Sequence, residues 1–222
     1  YKKENGGVIF PNPNAPTGLL LPLDQVEEIL EANRDVIVIV DEAYIDFGGV
    51  SALSLIDRYD NLLVVQTFSK SRSLAGMRIG FAMGNPQLIR CMQDVKYSFN
   101  SYTMNQAAIA AGTAALADRD YFERTRKKIM DTREKARREL RKLGFVCRDS
   151  AANFLFVTHP DCPGEELFLA LRQAGIYVRY FNKPRIDQYL RITIGTDEEM
   201  EALTAFLKKY LEERGGTPHG NV

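Results

Sequence analysis

The chain has 222 residues, of which 45% are hydrophobic and 26% charged, a composition typical of a folded globular protein and not of a disordered one. Lysine plus arginine (29) equals aspartate plus glutamate (29), so the net charge of zero excludes a nucleic-acid-binding surface as a whole-chain property, and no apolar run approaches the roughly 18 residues of a membrane span. Three scattered cysteines and two histidines indicate neither a disulfide framework nor a metal site, and favour a cytoplasmic setting.

The first half of the chain alternates short apolar runs with helical patterns. A strand at 7–10 is followed by a turn rich in proline and asparagine. The continuous β-branched run at 36–40 is typical of a strand buried on both faces in a parallel sheet. This alternation predicts a mostly parallel α/β sheet domain. Its other predicted elements are strands at 62–66 and 79–83 and helices at 24–33, 86–97 and 105–117.

A long, highly charged helix is predicted over 121–144, with its charges forming a solvated face and Gly144 ending it. An α+β unit follows. We therefore expect part of a large domain at 1–120, a connecting helix, a small domain at 145–214 and a tail at 215–222. The elements predicted in the small domain are strands at 145–147, 153–158, 176–181 and 189–194 and helices at 165–174 and 197–213.

Polar side chains follow the predicted strands of the first half at the points where those strands end or the next begins. Ligands bind outside the carboxyl ends of the strands in open α/β sheets, so these side chains are candidates for one site. The set offers an amide, an acid, a phenol, a hydroxyl, an amine and a guanidinium. Its members are Asn14, Asp41, Tyr44, Ser69, Lys70 and Arg78.

Pyridoxal phosphate is a ligand that needs this combination. A lysine amine forms a Schiff base with its aldehyde, and a carboxylate keeps its pyridine nitrogen protonated. A phenol and an amide can hydrogen-bond the ring oxygen, while serine and arginine bind the phosphate. Taken singly, each residue is better interpreted as a cap, a turn former or a surface charge. The order and spacing of the whole set favour the cofactor.

Four segments occur in an order that resembles class I/II aminotransferases, which are dimeric pyridoxal-phosphate enzymes with a large and a small domain. The resemblance extends from about residue 8 to 211 and is greatest to the histidinol-phosphate branch of the family. The four segments are Asn14-Ala15-Pro16-Thr17-Gly18, Asp41-Glu42-Ala43-Tyr44, Thr67-Phe68-Ser69-Lys70 and Ala75-Gly76-Met77-Arg78-Ile79-Gly80.

The resemblance implies cofactor roles for residues of the first half. Lys70 would form the Schiff base and transfer the proton. Asp41 would bind the pyridine nitrogen and Tyr44 the ring hydroxyl. Ser69 and Arg78 would hold the cofactor phosphate.

The resemblance also implies substrate contacts in the second half. Arg191, in Leu190-Arg191-Ile192-Thr193-Ile194-Gly195, would bind the α-carboxylate of the amino-acid partner. Arg179 would lie near the substrate phosphate. Asn153 would either contact the substrate or hydrogen-bond at a domain interface.

Two departures from the family pattern stand out. Ala15 occupies the position of the family asparagine that meets the ring oxygen. Either the neighbouring Asn14 makes this contact or Tyr44 makes it alone, and we assign it to Asn14. The N-terminal part of the family's large domain, with its glycine-rich phosphate loop, has no counterpart here. The chain is therefore interpreted as N-terminally truncated.

The expected reaction is transamination between histidinol phosphate and 2-oxoglutarate, giving imidazole-acetol phosphate and glutamate in a cytoplasmic homodimer. An aromatic amino-acid aminotransferase and a threonine-phosphate-type decarboxylase remain alternatives, because they share these motifs. A fragment without catalytic activity is a further alternative. A dinucleotide-binding dehydrogenase is disfavoured because no GxGxxG follows a strand.

Overall fold

The computed structural model describes residues 1 and 3–215, and the chain divides into two compact units. The first unit consists of Tyr1–Ala15 and Leu19–Lys127. The second consists of Pro16–Gly18 and the described residues from Lys128 onward. The finer domain bounds expected from the sequence stay a prediction, and 216–222 of the expected tail lie outside the described residues.

The first unit contains a four-stranded sheet in the order β1-β2-β3-β4. Strands β1 (Val8–Pro11), β2 (Val38–Asp41) and β3 (Leu62–Thr67) are parallel, whereas β4 (Gly80–Gly84) pairs with β3 in the antiparallel direction. This arrangement confirms the expected, mostly parallel sheet. The helices of this part are α1 (Leu23–Glu31), α2 (Pro86–Phe99), α3 (Gln106–Ala117) and the first turns of α4 (Arg119–Lys142), together with short 3₁₀ helices at Ile45–Phe47, Ala52–Leu55 and Ala75–Met77.

One face of this sheet packs in a hydrophobic core with α1. Val38 and Val40 are fully buried there, whereas Ile39, on the opposite face, is only half-buried and Ile9 is 72% exposed. The expectation of a strand buried on both faces is therefore wrong for the second face. The alternation of side chains along β2 directs every second residue to a face that the described residues cover incompletely.

The second unit contains an antiparallel sheet in the order β5-β6-β8-β7 and a core of its own. It confirms the expected α+β unit. The predicted strand at 176–181 is reduced to two residues, because β7 pairs with β8 only through Arg179 and Tyr180. The elements are β5 (Val146–Cys147), β6 (Phe154–Thr158), α5 (Gly164–Gln173), β7 (Arg179–Tyr180), β8 (Leu190–Thr193) and α6 (Asp197–Gly215).

Within the described residues, no helix combines the length and the apolar character that crossing a bilayer requires.

Candidate functional site

Asp41 is the last residue of β2 and lies opposite Val65 of the parallel strand β3. The N–H of Glu42 donates to Val65 O at 2.8 Å, so the pairing continues past the strand end. The N–H of Ala43 donates to Asp41 Oδ1 at 3.0 Å. The half-buried Asp41 carboxylate is thereby oriented by its own turn at the carboxyl edge of the sheet.

Glu42, the next residue, serves a different purpose. Its buried carboxylate accepts hydrogen bonds from Ser51 Oγ at 2.6 Å, Ala52 N at 2.7 Å and Gln66 Nε2 at 2.8 Å. Burial raises the pKa of the Glu42 carboxyl, although these donors oppose the shift. All three donors are groups of the protein, so none of these bonds depends on a ligand. They fix Glu42, and with it the backbone around Asp41, in place.

Lys70 and Tyr44 approach each other from the turns that follow β3 and β2. Lys70 Nζ lies 5.5 Å from the centroid of the Tyr44 ring, and both side chains are half-buried. Tyr44 precedes the 3₁₀ helix Ile45–Phe47 and accepts a backbone hydrogen bond from Phe47 N at 3.1 Å. Lys70 O accepts one from Ser73 N, also at 3.1 Å. The structure therefore brings the predicted amine and phenol together.

Thr67 links Ser69 to the turn that carries Arg78. Its hydroxyl accepts a hydrogen bond from Ser69 N at 3.0 Å and lies 2.9 Å from Ser69 Oγ and 3.0 Å from Ile79 O. No role for Thr67 was predicted from the sequence. A threonine two residues before a serine at a strand end is a local signal for this turn, but the contact with Ile79 depends on the antiparallel return of β4.

Arg78 has left-handed backbone angles (φ 56°, ψ 42°), which are uncommon for a residue with a side chain. Its guanidinium is exposed, and Nη1 donates to Ala75 O at 2.8 Å. Arg78 thus lies in the turn between the 3₁₀ helix Ala75–Met77 and β4.

Asn14 lies in the turn after β1, where its N–H donates to Leu19 O at 2.8 Å. The turn is held by the buried Asn12, whose side chain donates to Leu21 O at 3.0 Å and accepts from Leu21 N at 2.8 Å. Asn12 N also donates to Asp41 O at 2.8 Å. The role of Asn12 was not predicted from the sequence, because an asparagine between two prolines is typical of a turn and indicates nothing further.

In the second unit, Arg179 of β7 and Arg191 of β8 are directly opposed in antiparallel register. The Arg191 guanidinium lies 5.0 Å from the ring centroid of Phe154 and 5.9 Å from that of Phe181. Its Nε is buried and has no hydrogen-bond partner among the described residues. Two like charges on one face and a buried donor without a partner favour an anion at this position.

Asn153 is half-buried directly before β6, and its carbonyl accepts a hydrogen bond from Ile194 N at 2.9 Å. The preceding carbonyl, that of Ala152, accepts one from Arg133 Nη1 at 2.8 Å. Ser150 Oγ donates to Phe154 O at 2.7 Å. Both sides of Asn153 are thus fixed within the second unit.

The nine predicted site residues fall into two groups. The predicted cofactor residues, from Asn14 to Arg78, all belong to the first unit, and the predicted substrate residues Asn153, Arg179 and Arg191 belong to the second. The first group offers the chemistry to hold a phosphorylated aldehyde, and the second offers cations for a carboxylate or phosphate. The individual roles stay predictions.

Residues 1–207 match the model of the family described as aminotransferase class I and II. The chain is 58% identical over 203 residues to a histidinol-phosphate aminotransferase from Pseudomonas putida, covering 91% of this chain and 58% of that protein. It is 59% identical to histidinol-phosphate aminotransferase 1 from Methylococcus capsulatus, covering 91% and 57%. The chain therefore spans less than two thirds of the length of these relatives.

Solved structures of histidinol-phosphate aminotransferases are similar to this chain in fold. The histidinol-phosphate aminotransferase from Clostridium acetobutylicum superposes with a TM-score of 0.84 at 26% identity, over 94% of this chain and 64% of that one. The enzyme from Sinorhizobium meliloti, solved in complex with pyridoxal-5'-phosphate, gives a TM-score of 0.82 at 26% identity, over 94% and 58%.

Proposed function

Because the chain belongs to the aminotransferase class I and II family, we propose that it carries the cofactor-binding and catalytic residues of a pyridoxal-phosphate-dependent transaminase. The observation that carries this proposal is the 5.5 Å approach of Lys70 Nζ to the Tyr44 ring, at the sheet edge where β2 ends with Asp41. An amine, a phenol and a carboxylate at one edge match the aldehyde, ring hydroxyl and ring nitrogen of pyridoxal phosphate.

When bound, the cofactor supplies an aldehyde carbon that combines with amines and a ring that takes up an electron pair. Lys70 would hold the cofactor through Nζ and, once the substrate amine has displaced it from that carbon, would move the proton at the substrate Cα. The Asp41 carboxylate would hold a proton on the ring nitrogen, and Tyr44 and Asn14 would hydrogen-bond the ring oxygen. Ser69 Oγ and the Arg78 guanidinium would bind the phosphate.

We propose histidinol phosphate and 2-oxoglutarate as substrates, giving imidazole-acetol phosphate and glutamate, as in histidine biosynthesis. The 58–59% identity to the relatives named above supports this choice. Histidinol phosphate has a phosphate and no carboxylate, whereas glutamate has carboxylates only. The opposed Arg179 and Arg191 suit both, because each guanidinium can bind either anion, and Asn153 adds a hydrogen bond.

We also propose that the protein acts as a homodimer in the cytoplasm. Side chains at the end of α2 and just after it support a partner surface: Val95, Tyr97, Phe99 and Tyr102 are each at least 60% exposed. The three thiols, which form no disulfide, suit a reducing compartment. Light scattering that gives twice the chain mass would support the dimer, and a clean monomer would contradict it.

Glutamate formation from histidinol phosphate and 2-oxoglutarate tests the proposed reaction. We expect turnover that falls at least about 100-fold in Lys70→Ala, since proton transfer by a positioned group contributes this much. Higher kcat/KM with phenylalanine would favour the aromatic alternative, and carbon dioxide release from threonine phosphate would favour the decarboxylase. No turnover of any of the three substrates, together with no stoichiometric binding of pyridoxal phosphate, would favour a catalytically inactive fragment.

A further inference from the structure

The turns that carry Tyr44 and Lys70 are joined by a hydrogen bond that the proposed function does not use. Ser71 Oγ donates to Asp46 Oδ2. Ser71 directly follows Lys70 and is only 6% exposed, while Asp46 is half-buried two residues after Tyr44. The bond therefore connects the residue beside the amine to the segment beside the phenol.

Asp46 is well placed to act as an anchor. It is the central residue of the 3₁₀ helix Ile45–Phe47, whose two other side chains are buried at 5% and 0% exposure. Its carbonyl accepts a hydrogen bond from Arg126 Nη1 of α4 at 3.2 Å. The backbone that carries the Asp46 carboxylate is thus held by the core below it and by a guanidinium beside it.

The turn around Lys70 is held at several points, among them hydrogen bonds from Leu74 N to Phe68 O at 3.0 Å and from Arg72 Nη1 to Ala115 O at 2.6 Å. Lys70 O accepts a hydrogen bond from Ser73 N at 3.1 Å, and Ser73 has a positive φ of 55°, an unfavourable conformation for a non-glycine residue. Such a conformation persists only where surrounding contacts fix it. The buried Ser71 side chain supplies one of these contacts next to the lysine.

We propose that Asp46 is a positioning residue, which acts through Ser71 to fix the turn at Lys70 and so sets where the lysine amine lies relative to the Tyr44 ring. This inference rests on the proposed function. A charge-assisted hydrogen bond to a buried hydroxyl suits such a role, because it is both stronger and more directional than a bond between neutral groups. Removing it takes away the restraint next to Lys70 without removing any group that touches the cofactor.

The test measures the geometry of the bound cofactor in Ser71→Ala, Asp46→Ala and the double variant. We expect the dissociation constant of pyridoxal phosphate to rise about threefold to tenfold in each, as for the loss of one such bond. Visible circular dichroism per bound cofactor should fall, since this signal reports the orientation of the chromophore. The double variant should bind pyridoxal phosphate no more weakly, and lose no more dichroism, than either single variant, because both substitutions remove the same bond.

Three further variants separate positioning from stability. Asp46→Asn keeps an oxygen that accepts from Ser71 and should restore most of the dichroism. Thr132→Ala removes a comparable bond, from Thr132 Oγ1 to Asp197 Oδ1 at 2.8 Å, in the other unit. It should lower the thermal midpoint of the cofactor-free protein without changing the dichroism. Ser71→Cys, similar in volume but a weak donor, gives the same readout if Asp46→Ala does not fold.

Unchanged dichroism and affinity in Ser71→Ala and Ser71→Cys, with only a lower thermal midpoint, would overturn the positioning role and leave the proposed function intact. A protein that binds no pyridoxal phosphate at all, before any substitution, would overturn both. Dichroism that falls in Ser71→Ala and recovers in Asp46→Asn is the result that supports the inference.

Discussion

Arg179 and Arg191 face each other across the β7–β8 pair, so two guanidinium groups lie on the same side of the sheet in the second unit. Like charges in this register repel, and Arg191 Nε is buried without a partner among the described residues. An anion bound on this face of the sheet would relieve both features. This relationship gives the first prediction.

Arg191→Ala should lower kcat/KM for 2-oxoglutarate by about 10-fold to 100-fold, the effect of losing one or two hydrogen bonds between charged groups. Arg179→Ala should lower kcat/KM for histidinol phosphate more than kcat/KM for 2-oxoglutarate. Arg172→Ala, which removes an exposed arginine from α5, provides the control and should change neither. Equal effects of Arg179→Ala on both substrates would contradict the assignment of this residue to the phosphate.

Thr67→Val should weaken cofactor binding although the proposed role of Thr67 is only to hold Ser69 and Ile79. The substitution keeps the shape of the side chain and removes the hydroxyl that bonds to both. We expect the dissociation constant of pyridoxal phosphate to rise about fivefold, as for one lost hydrogen bond, and Thr67→Ser to restore it. Absorbance titration measures this, and an unchanged constant in Thr67→Val would show that Ser69 needs no such support.

The strand ends were predictable from the sequence, but the contacts that support the site were not. Buried β-branched runs and the turn residues after them are local signals, and they located Asp41 and Lys70 correctly at the edge of the sheet. Asn12 and Thr67 act on residues brought near by strand pairing, which local patterns do not reveal. The predicted β7 was too long because pairing with a neighbour, and not apolar character alone, determines the length of an edge strand.

Asp197, at the start of α6, should stabilise the second unit in a pH-dependent way. Hydrogen bonds from Lys128 and Thr132 hold the pKa of its carboxyl below the ordinary 3.8. A pKa lowered on folding contributes stability that is present above the unfolded pKa and is lost as the pH falls through the folded value. Asp197→Asn should therefore lower the thermal midpoint at pH 7, with a difference that shrinks below pH 3.8.

Glu212→Gln is the control for Asp197→Asn. This exposed glutamate lies near the end of α6, and its ion pair is long, with Lys208 Nζ 4.0 Å from Glu212 Oε1. The thermal midpoint of Glu212→Gln should match that of the unmodified protein across the same pH range. A deficit in Asp197→Asn that persists unchanged into acid would indicate a role independent of the carboxylate charge.

Cys147 should resist alkylation while the protein is folded. Burial raises the pKa of its thiol to about 11, so at pH 8 only about one molecule in a thousand carries the reactive thiolate. Cys91 is exposed and should react first with iodoacetamide. Peptide mass spectrometry before and after denaturation measures both rates, and equal labelling of the two thiols in the folded protein would contradict the packing around Cys147.

The most direct test of the proposed function is the identity of the lysine that binds pyridoxal phosphate. The protein is incubated with the cofactor, reduced with borohydride and digested, and the modified peptide is sequenced by mass spectrometry. Lys96→Ala is the matched control, because Lys96 Nζ also lies near an aromatic ring, 4.8 Å from that of Tyr97. We predict a single label on Lys70, retained in Lys96→Ala and absent from Lys70→Ala. A label on another lysine, or one that survives in Lys70→Ala, would contradict the proposal.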